Sequence, residues 1–305
     1  MRRGRWSALL AGLLAAAELS ACGAQPSAWT PARGPMPVVA AENFWGSLAS
    51  QLGGARVKVH SVLSDAATDP HEYASNPADA RAFAQAALVI VNGAGYDSWA
   101  QSLLSASPSS HRRVLDVGRL LGKKSGENPH FWYDPAAVLQ VVDQLTADFQ
   151  ALDPAGRAYY AERRGLTLQA LAPYLNQVGA IKSRYGGQSV GATESIFVYM
   201  ASALGLNLIS PPEFMTAISA GSDPPVQSIT LFQTQIVEKR IRILVYNRQT
   251  ANSLTERMEN LARGQEIPVV AVSEIMPAGE ASFETWQAQQ LDQISAALAS
   301  SPVAP

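Results

Sequence analysis

The stretch DPAGRAYYAERRGLTLQALAPYLNQVGAIKSRYGG, residues 153–187, decides the fold. Over Asp153–Tyr185 it reads as one long helix, with apolar residues at helical spacing such as Leu168, Leu171, Leu175 and Val178. Asp153-Pro154 is a start signal, an acidic N-cap followed by Pro at the first helical position. Gly186-Gly187 is a stop. Pro173 is expected to kink or divide the helix, because Pro lacks an N–H and its ring crowds the preceding turn.

Working outward, both flanks alternate strand-like and helix-like segments. Before the helix, apolar β-branched runs lie at Val38–Ala41, Val57–Leu63, Ala87–Val91 and Val114–Val117, with helical stretches at Phe44–Gln51, Pro77–Ala86 and Ser98–Ser105. After it, the strands are Ser189–Thr193, Leu206–Ser210, Ile241–Tyr246 and Val269–Val272. The helices there are Phe197–Leu204, Val226–Glu238, Ser253–Ala262 and Phe283–Leu298. Strands separated by helices imply parallel sheets with right-handed crossovers, so the fold class is α/β.

The front of the chain reads as an export signal. Arg2, Arg3 and Arg5 precede a short apolar run, Ser7–Ser20, too short to span a bilayer as a mature helix. Glu18 is an unusual residue within that run. The leader ends Leu19-Ser20-Ala21-Cys22, a pattern that resembles the lipobox of bacterial lipoproteins, and Cys22 is the only cysteine. No intrachain disulfide is possible, and the thiol falls where lipid attachment requires it. A lipid on Cys22 would hold a folded domain at the outer face of a bacterial membrane. Gly23–Pro35 is small and Pro-rich and reads as a tether; Ala299–Pro305 reads as a disordered tail.

About 280 residues remain after cleavage, enough for two modest domains. Removing residues 1–21 takes away three Arg and one Glu and leaves 20 basic against 24 acidic side chains, a net charge of −4. With no basic stripe, nucleic-acid binding has no support.

Four positions carry the chemistry: His71, His130, Glu194 and Glu274. His71 lies in Asp69-Pro70-His71-Glu72-Tyr73 and His130 in Asn128-Pro129-His130-Phe131-Trp132. Glu194 and Glu274 each follow a strand-like run. Ligands of open parallel sheets bind beyond the carboxyl ends of the strands, and all four fall in loops or helix starts that suit that edge. Two imidazoles and two carboxylates form a donor set for a divalent transition metal. Each residue alone has a plainer role, as a solvated loop histidine or as favourable charge at a helix N-terminus. His60, inside a strand, and His111, beside Arg112-Arg113, read as structural or solvated.

The segments Asp69–Asp79, Asn92–Ala100, Asn128–Pro135, Ala192–Met200 and Tyr246–Met258 resemble the solute-binding lipoproteins of zinc/manganese ABC transporters. The Asp-Pro-His and Asn-Pro-His segments in this order and spacing are the specific part of the resemblance. It implies two α/β lobes joined by a single long helix, with little movement of the lobes on binding. The implied layout is a signal peptide over 1–21, a tether over 22–35, a first lobe over 36–152, a linker helix over 153–186, a second lobe over 187–298 and a tail over 299–305. It also implies one Mn²⁺ or Zn²⁺ held by His71 and His130 from the first lobe and Glu194 and Glu274 from the second. Delivery to an ABC-transporter permease and action as a monomer follow from the same resemblance.

The family more often has Asp where Glu274 stands, so Glu280 and Asp223 stay open as the fourth ligand. Glu72 and Asp134 read as supporting or capping groups. Two carboxylates make a harder donor set than three imidazoles, which leans toward Mn²⁺, though intrinsic affinity still favours Zn²⁺. Enzyme readings fail for lack of parts. There is no His-Glu-x-x-His, no Gly-x-Ser-x-Gly and no nucleophilic thiol beyond Cys22. Gly93-Ala94-Gly95 lacks the third glycine of a dinucleotide loop. A surface adhesin or structural lipoprotein is the alternative class.

Overall fold

The structure, a computed structural model, describes residues 29–30, 34–66, 68, 70 and 73–301. The leader with Cys22, most of the tether, the last four residues, and His71 and Glu72 lie outside the described residues.

The first lobe runs β1 (Met36–Glu42), α1 (Asn43–Gly53), β2 (Val57–Leu63), α2 (Pro77–Gln85), β3 (Leu88–Val91), α3 (Ser98–Ala106), β4 (Arg113–Asp116), α4 (Val117–Leu120) and α5 (Pro135–Leu152). The linker is α6 (Arg157–Tyr185). The second lobe runs β5 (Ser189–Ala192), α7 (Val198–Ala203), β6 (Asn207–Leu208), α8 (Pro212–Ser219), α9 (Val226–Val237), β7 (Leu244–Asn247), α10 (Ser253–Gly264), β8 (Val269–Val272) and α11 (Phe283–Ser300). Two four-stranded sheets result, ordered β2-β1-β3-β4 and β6-β5-β7-β8, with every pairing parallel. Both lobes thus repeat one strand order. The reversal lies between β1 and β3 in the first lobe and between β5 and β7 in the second, where such sheets place their ligands.

Local chemistry explains the elements. All four residues of β3 are buried, as suits a strand covered on both faces. Helix α2 starts with a capping box between Asn76 and Asp79 and has Pro77 at its first position. Asp134 caps α5 by accepting from the Ala136 N–H at 2.9 Å. Gly93, after β3, has φ +74°, and a Cβ there would collide with the Asp116 carboxylate at 2.2 Å. Only glycine fits that turn.

Helix α6 is 29 residues, about 43 Å long, and departs from expectation in two ways. First, it does not break at Pro173. Its buried stripe, Thr167, Leu171, Tyr174, Val178, Ile181 and Tyr185, steps by three and four residues. Pro173 lies off the stripe, and Gln169, whose carbonyl loses its partner, is exposed as well. The missing bond falls on the side open to solvent while the packed face continues. Second, Asp153 does not cap the helix through its side chain. Its buried carboxylate takes Arg56 at 2.7 Å and Tyr160 Oη at 3.0 Å, and a 3₁₀ turn over Pro154–Gly156 leads into the helix.

The stripe of α6 packs on α1 and α5 of the first lobe and on α11 of the second. One apolar core runs through both lobes, from Phe44, Trp45 and Trp132 to Phe197, Val245 and Trp286. A smaller cluster around Phe214, Phe232 and Met258 belongs to the second lobe alone. Swinging the lobes widely apart would expose that shared core to water. No helix among the described residues is long and apolar enough to cross a membrane.

Candidate metal centre

Three of the four candidates converge where the carboxyl ends of the two sheets face each other. His130, Glu194 and Glu274 are all buried, and one ligand atom from each lies within 4.8 Å of the others. Glu194 stands two residues past β5 and Glu274 two residues past β8, while His130 opens the turn leading into α5. Glu280 instead pairs with Gln289 on the surface, and Asp223 is exposed. His60 and His111 are exposed, as expected. His71 lies outside the described residues.

Asn128 orients the ring of His130 and selects its tautomer. Its amide nitrogen donates to the Ser195 carbonyl at 2.8 Å, so its oxygen faces His130 Nδ1 at 2.7 Å. Because that oxygen can only accept, the network assigns the ring proton to Nδ1. In the neutral ring Nε2 then keeps its lone pair; it is buried, 3.5 Å from Glu194 Oε1, and has no hydrogen-bond partner among the described residues. A buried acceptor with nothing to accept is costly unless a cation completes it. A tetrahedral shell at about 2.1 Å spaces its ligand atoms about 3.4 Å apart. The His130–Glu194 pair already has that spacing.

The carboxylates are held from several sides. Asn247, the last residue of β7, donates its amide to Glu194 Oε2 at 3.1 Å and to Glu274 Oε1 at 2.6 Å. Ser195 Oγ donates to Glu194 Oε1 at 3.3 Å, and Ser219 Oγ donates to the same oxygen. Tyr96 Oη donates to Glu274 Oε2 at 2.6 Å. Burial, then the charges of Glu274 and Glu42, push the Tyr96 hydroxyl well above its usual range, which keeps it a donor. The Glu274 N–H donates to Gln249 Oε1 at 2.5 Å.

Beneath this layer lies a second pair of acids. Glu42, at the end of β1, is wholly buried, and its carboxyl is pushed well up by burial first and by Asp97 second. Asp97 is pushed up to about 6, mainly by burial, although it accepts from the Asn92 and Gly93 N–H groups. Asn92 in turn donates to the Pro129 carbonyl at 2.9 Å, next to His130. A cavity of about 300 Å³ opens beside His130, lined among others by Tyr96, Asn128, Ser195, Thr216 and Ser219.

Sequence reasoning assigned no role to Tyr96, Asn128, Asn247, Gln249, Glu42 or Asp97. All but Glu42 lie in segments already singled out by their resemblance, which was the available signal.

Residues 38–297 match a family described as the zinc-uptake complex component A, periplasmic, ZnuA. The manganese-binding lipoprotein MntA of Halalkalibacterium halodurans is 26% identical over 197 residues, 62% of this chain and 64% of that protein. The high-affinity zinc uptake system protein ZnuA of Bacillus subtilis is 17% identical over 216 residues, 65% of this chain and 66% of that protein. The chain thus spans just under two thirds of either relative. Among solved structures, the periplasmic zinc-binding protein TroA from Treponema pallidum superposes with a TM-score of 0.70 at 16% identity, covering 87% of this chain and 99% of that one. The Cd-bound periplasmic metal binding protein from Candidatus Liberibacter asiaticus gives 0.68 at 15% identity, covering 86% and 98%. At these identities the structures establish a shared fold.

Proposed function

The chain belongs to the ZnuA family of zinc-uptake components, and from that premise we propose that it captures one divalent transition-metal ion, Mn²⁺ or Zn²⁺, between its lobes and delivers it to the permease of an ABC transporter. The ligands are His130, Glu194 and Glu274, with His71 as the fourth on the strength of its Asp-Pro-His segment. The observation that carries the reading is the orphaned Nε2 of His130 beside two buried carboxylates. Neither an apolar ligand nor an anion suits that donor set, and a cation compensates all three groups at once. The first lobe supplies the imidazoles and the second the carboxylates, so the ion is held only between docked lobes. Lipid on Cys22 would keep the receptor at the outer face of the membrane, within reach of its permease. In this reading all four ligands come from one chain and the receptor acts as a monomer.

The test is metal analysis of protein purified from its own host, followed by calorimetry on the stripped protein. One Mn²⁺ or Zn²⁺ per chain is expected, and His130→Ala and His71→Ala should each lose most of the affinity. Unchanged binding in both variants would rule out this site.

A further inference from the structure

The amide of Asn247 touches both carboxylates of the site and is itself locked in orientation. The Gln249 N–H donates to Asn247 Oδ1 at 3.1 Å, which turns Nδ2 toward the acids. Nδ2 then holds Glu194 Oε2 at 3.1 Å and Glu274 Oε1 at 2.6 Å. A carboxylate chelates an ion only when both of its oxygens turn toward that ion. Here one oxygen of each acid is turned toward Asn247 instead. The other oxygen of each acid also accepts, Glu194 Oε1 from Ser195 and Ser219 and Glu274 Oε2 from Tyr96 at 2.6 Å, yet each keeps a second lone pair, and Glu194 Oε1 faces His130 Nε2 at 3.5 Å.

We propose that Asn247 is a specificity-determining residue: by drawing one oxygen of each carboxylate toward its own amide and away from the ion it makes both acids monodentate and so biases the site toward Zn²⁺ over Mn²⁺. The inference rests on the metal-receptor reading and adds to it the number of oxygens the ion receives. Zn²⁺ is satisfied by four ligands in a tetrahedron, whereas Mn²⁺ favours six, mostly oxygen. Donor hardness alone leans the site toward Mn²⁺; ligand count, set by Asn247, pulls the other way.

Co²⁺ is the probe, because a tetrahedral site gives intense visible d–d bands and a five- or six-coordinate site gives weak ones. The measurements are Co²⁺ spectra and separate Zn²⁺ and Mn²⁺ titrations of wild type, Asn247→Ala and Asn247→Asp. The Asp variant keeps the acceptor for the Gln249 N–H and decides the matter if the Ala variant does not fold. Wild type should show intense bands. In the variants the bands should weaken, and the Mn²⁺-to-Zn²⁺ affinity ratio should rise roughly tenfold. Co²⁺ bound with the wild-type spectrum in the folded variants, or a weak six-coordinate spectrum in wild type, overturns the role of Asn247. A wild-type protein that binds none of the three ions overturns the metal reading itself, and this one with it.

Discussion

Tyr96 donates its hydroxyl to Glu274 Oε2 at 2.6 Å, so a first-lobe phenol holds a candidate ligand of the second lobe in place. The acceptor is charged, and such hydrogen bonds contribute more than neutral ones. Tyr96→Phe keeps the ring beside Trp132, 5.1 Å between centroids, and removes the hydroxyl that makes the bond. Metal-free Tyr96→Phe should lose about 1–2 kcal/mol of stability. Urea unfolding reads this as a lower midpoint at unchanged slope. An unmoved midpoint would show that the cross-lobe bond contributes nothing.

Glu274 itself separates ligand from bystander. Glu274→Ala should lose part of the metal-induced rise in melting temperature and retain some binding through the remaining donors. Glu274→Asp should keep that rise, since it preserves the carboxylate one methylene further back. If Glu274→Ala responds to metal as wild type does, the residue is not a ligand.

Metal should bind the folded chain alone, because the site needs both lobes. At free metal about 100 times the dissociation constant, stabilisation should be about 2.7 kcal/mol. Imidazoles must be neutral to bind, so the gain should shrink as pH falls through the usual histidine range near about 6.5. Melting curves with and without Zn²⁺ at pH 7.5 and 5.5 measure both effects; an equal shift at the two values would contradict imidazole ligation.

Glu42 gives a pH signature independent of metal. Its folded carboxyl is raised above the usual carboxylate range by burial and by Asp97. The folded state therefore holds a proton that the unfolded chain has released, and stability falls as pH rises above about 4.5. Asp97, raised to about 6, adds a cost that grows between about 4 and 6 and is fully present above that. Glu42→Gln removes the ionisation of one partner. Metal-free Glu42→Gln should gain on wild type as pH rises from 4.5 to 7.5, with the difference read from paired thermal melts. A difference independent of pH would mean that Glu42 does not titrate on unfolding.

Cys22 lies outside the described residues, and its role rests on the Leu19-Ser20-Ala21-Cys22 pattern. Mature protein should partition into detergent, and mass spectrometry should find a diacylglycerol on that thiol. Cys22→Ala should remain an unprocessed precursor or escape from the membrane. An unmodified Cys22 at the mature N-terminus would end the idea.

Much of the fold was legible because its strands are short β-branched runs set between helical stretches, purely apolar in the central β3 and alternating with polar residues in the edge strand β2. Val57–Leu63 and Val269–Val272 match the observed strands at both ends. Helix α5 is absent from the sequence reading, although its buried residues Val138, Val141, Val142, Leu145 and Phe149 step by three and four and Asp134 caps it. Pro173 misled because a proline's effect depends on which face it occupies, and that needs the packing. His130, Glu194 and Glu274, which the structure brings together, stood out in the sequence by type, position and resemblance. Asn247, Asn128 and Tyr96 did not, since amides and phenols are common at strand ends and only distances reveal what they touch.

Asn128 has a consequence for the life of the chain before it is complete. The same amide that sets the proton on His130 is oriented by the Ser195 carbonyl of the other lobe. Within the first lobe the His130 backbone N–H already holds the Asn128 oxygen at 3.1 Å, so a chain whose second lobe has not formed keeps the start of that arrangement and lacks the Ser195 clamp and both carboxylates. Glu274 follows the last strand, so the donor set cannot be complete until nearly the whole chain has been made.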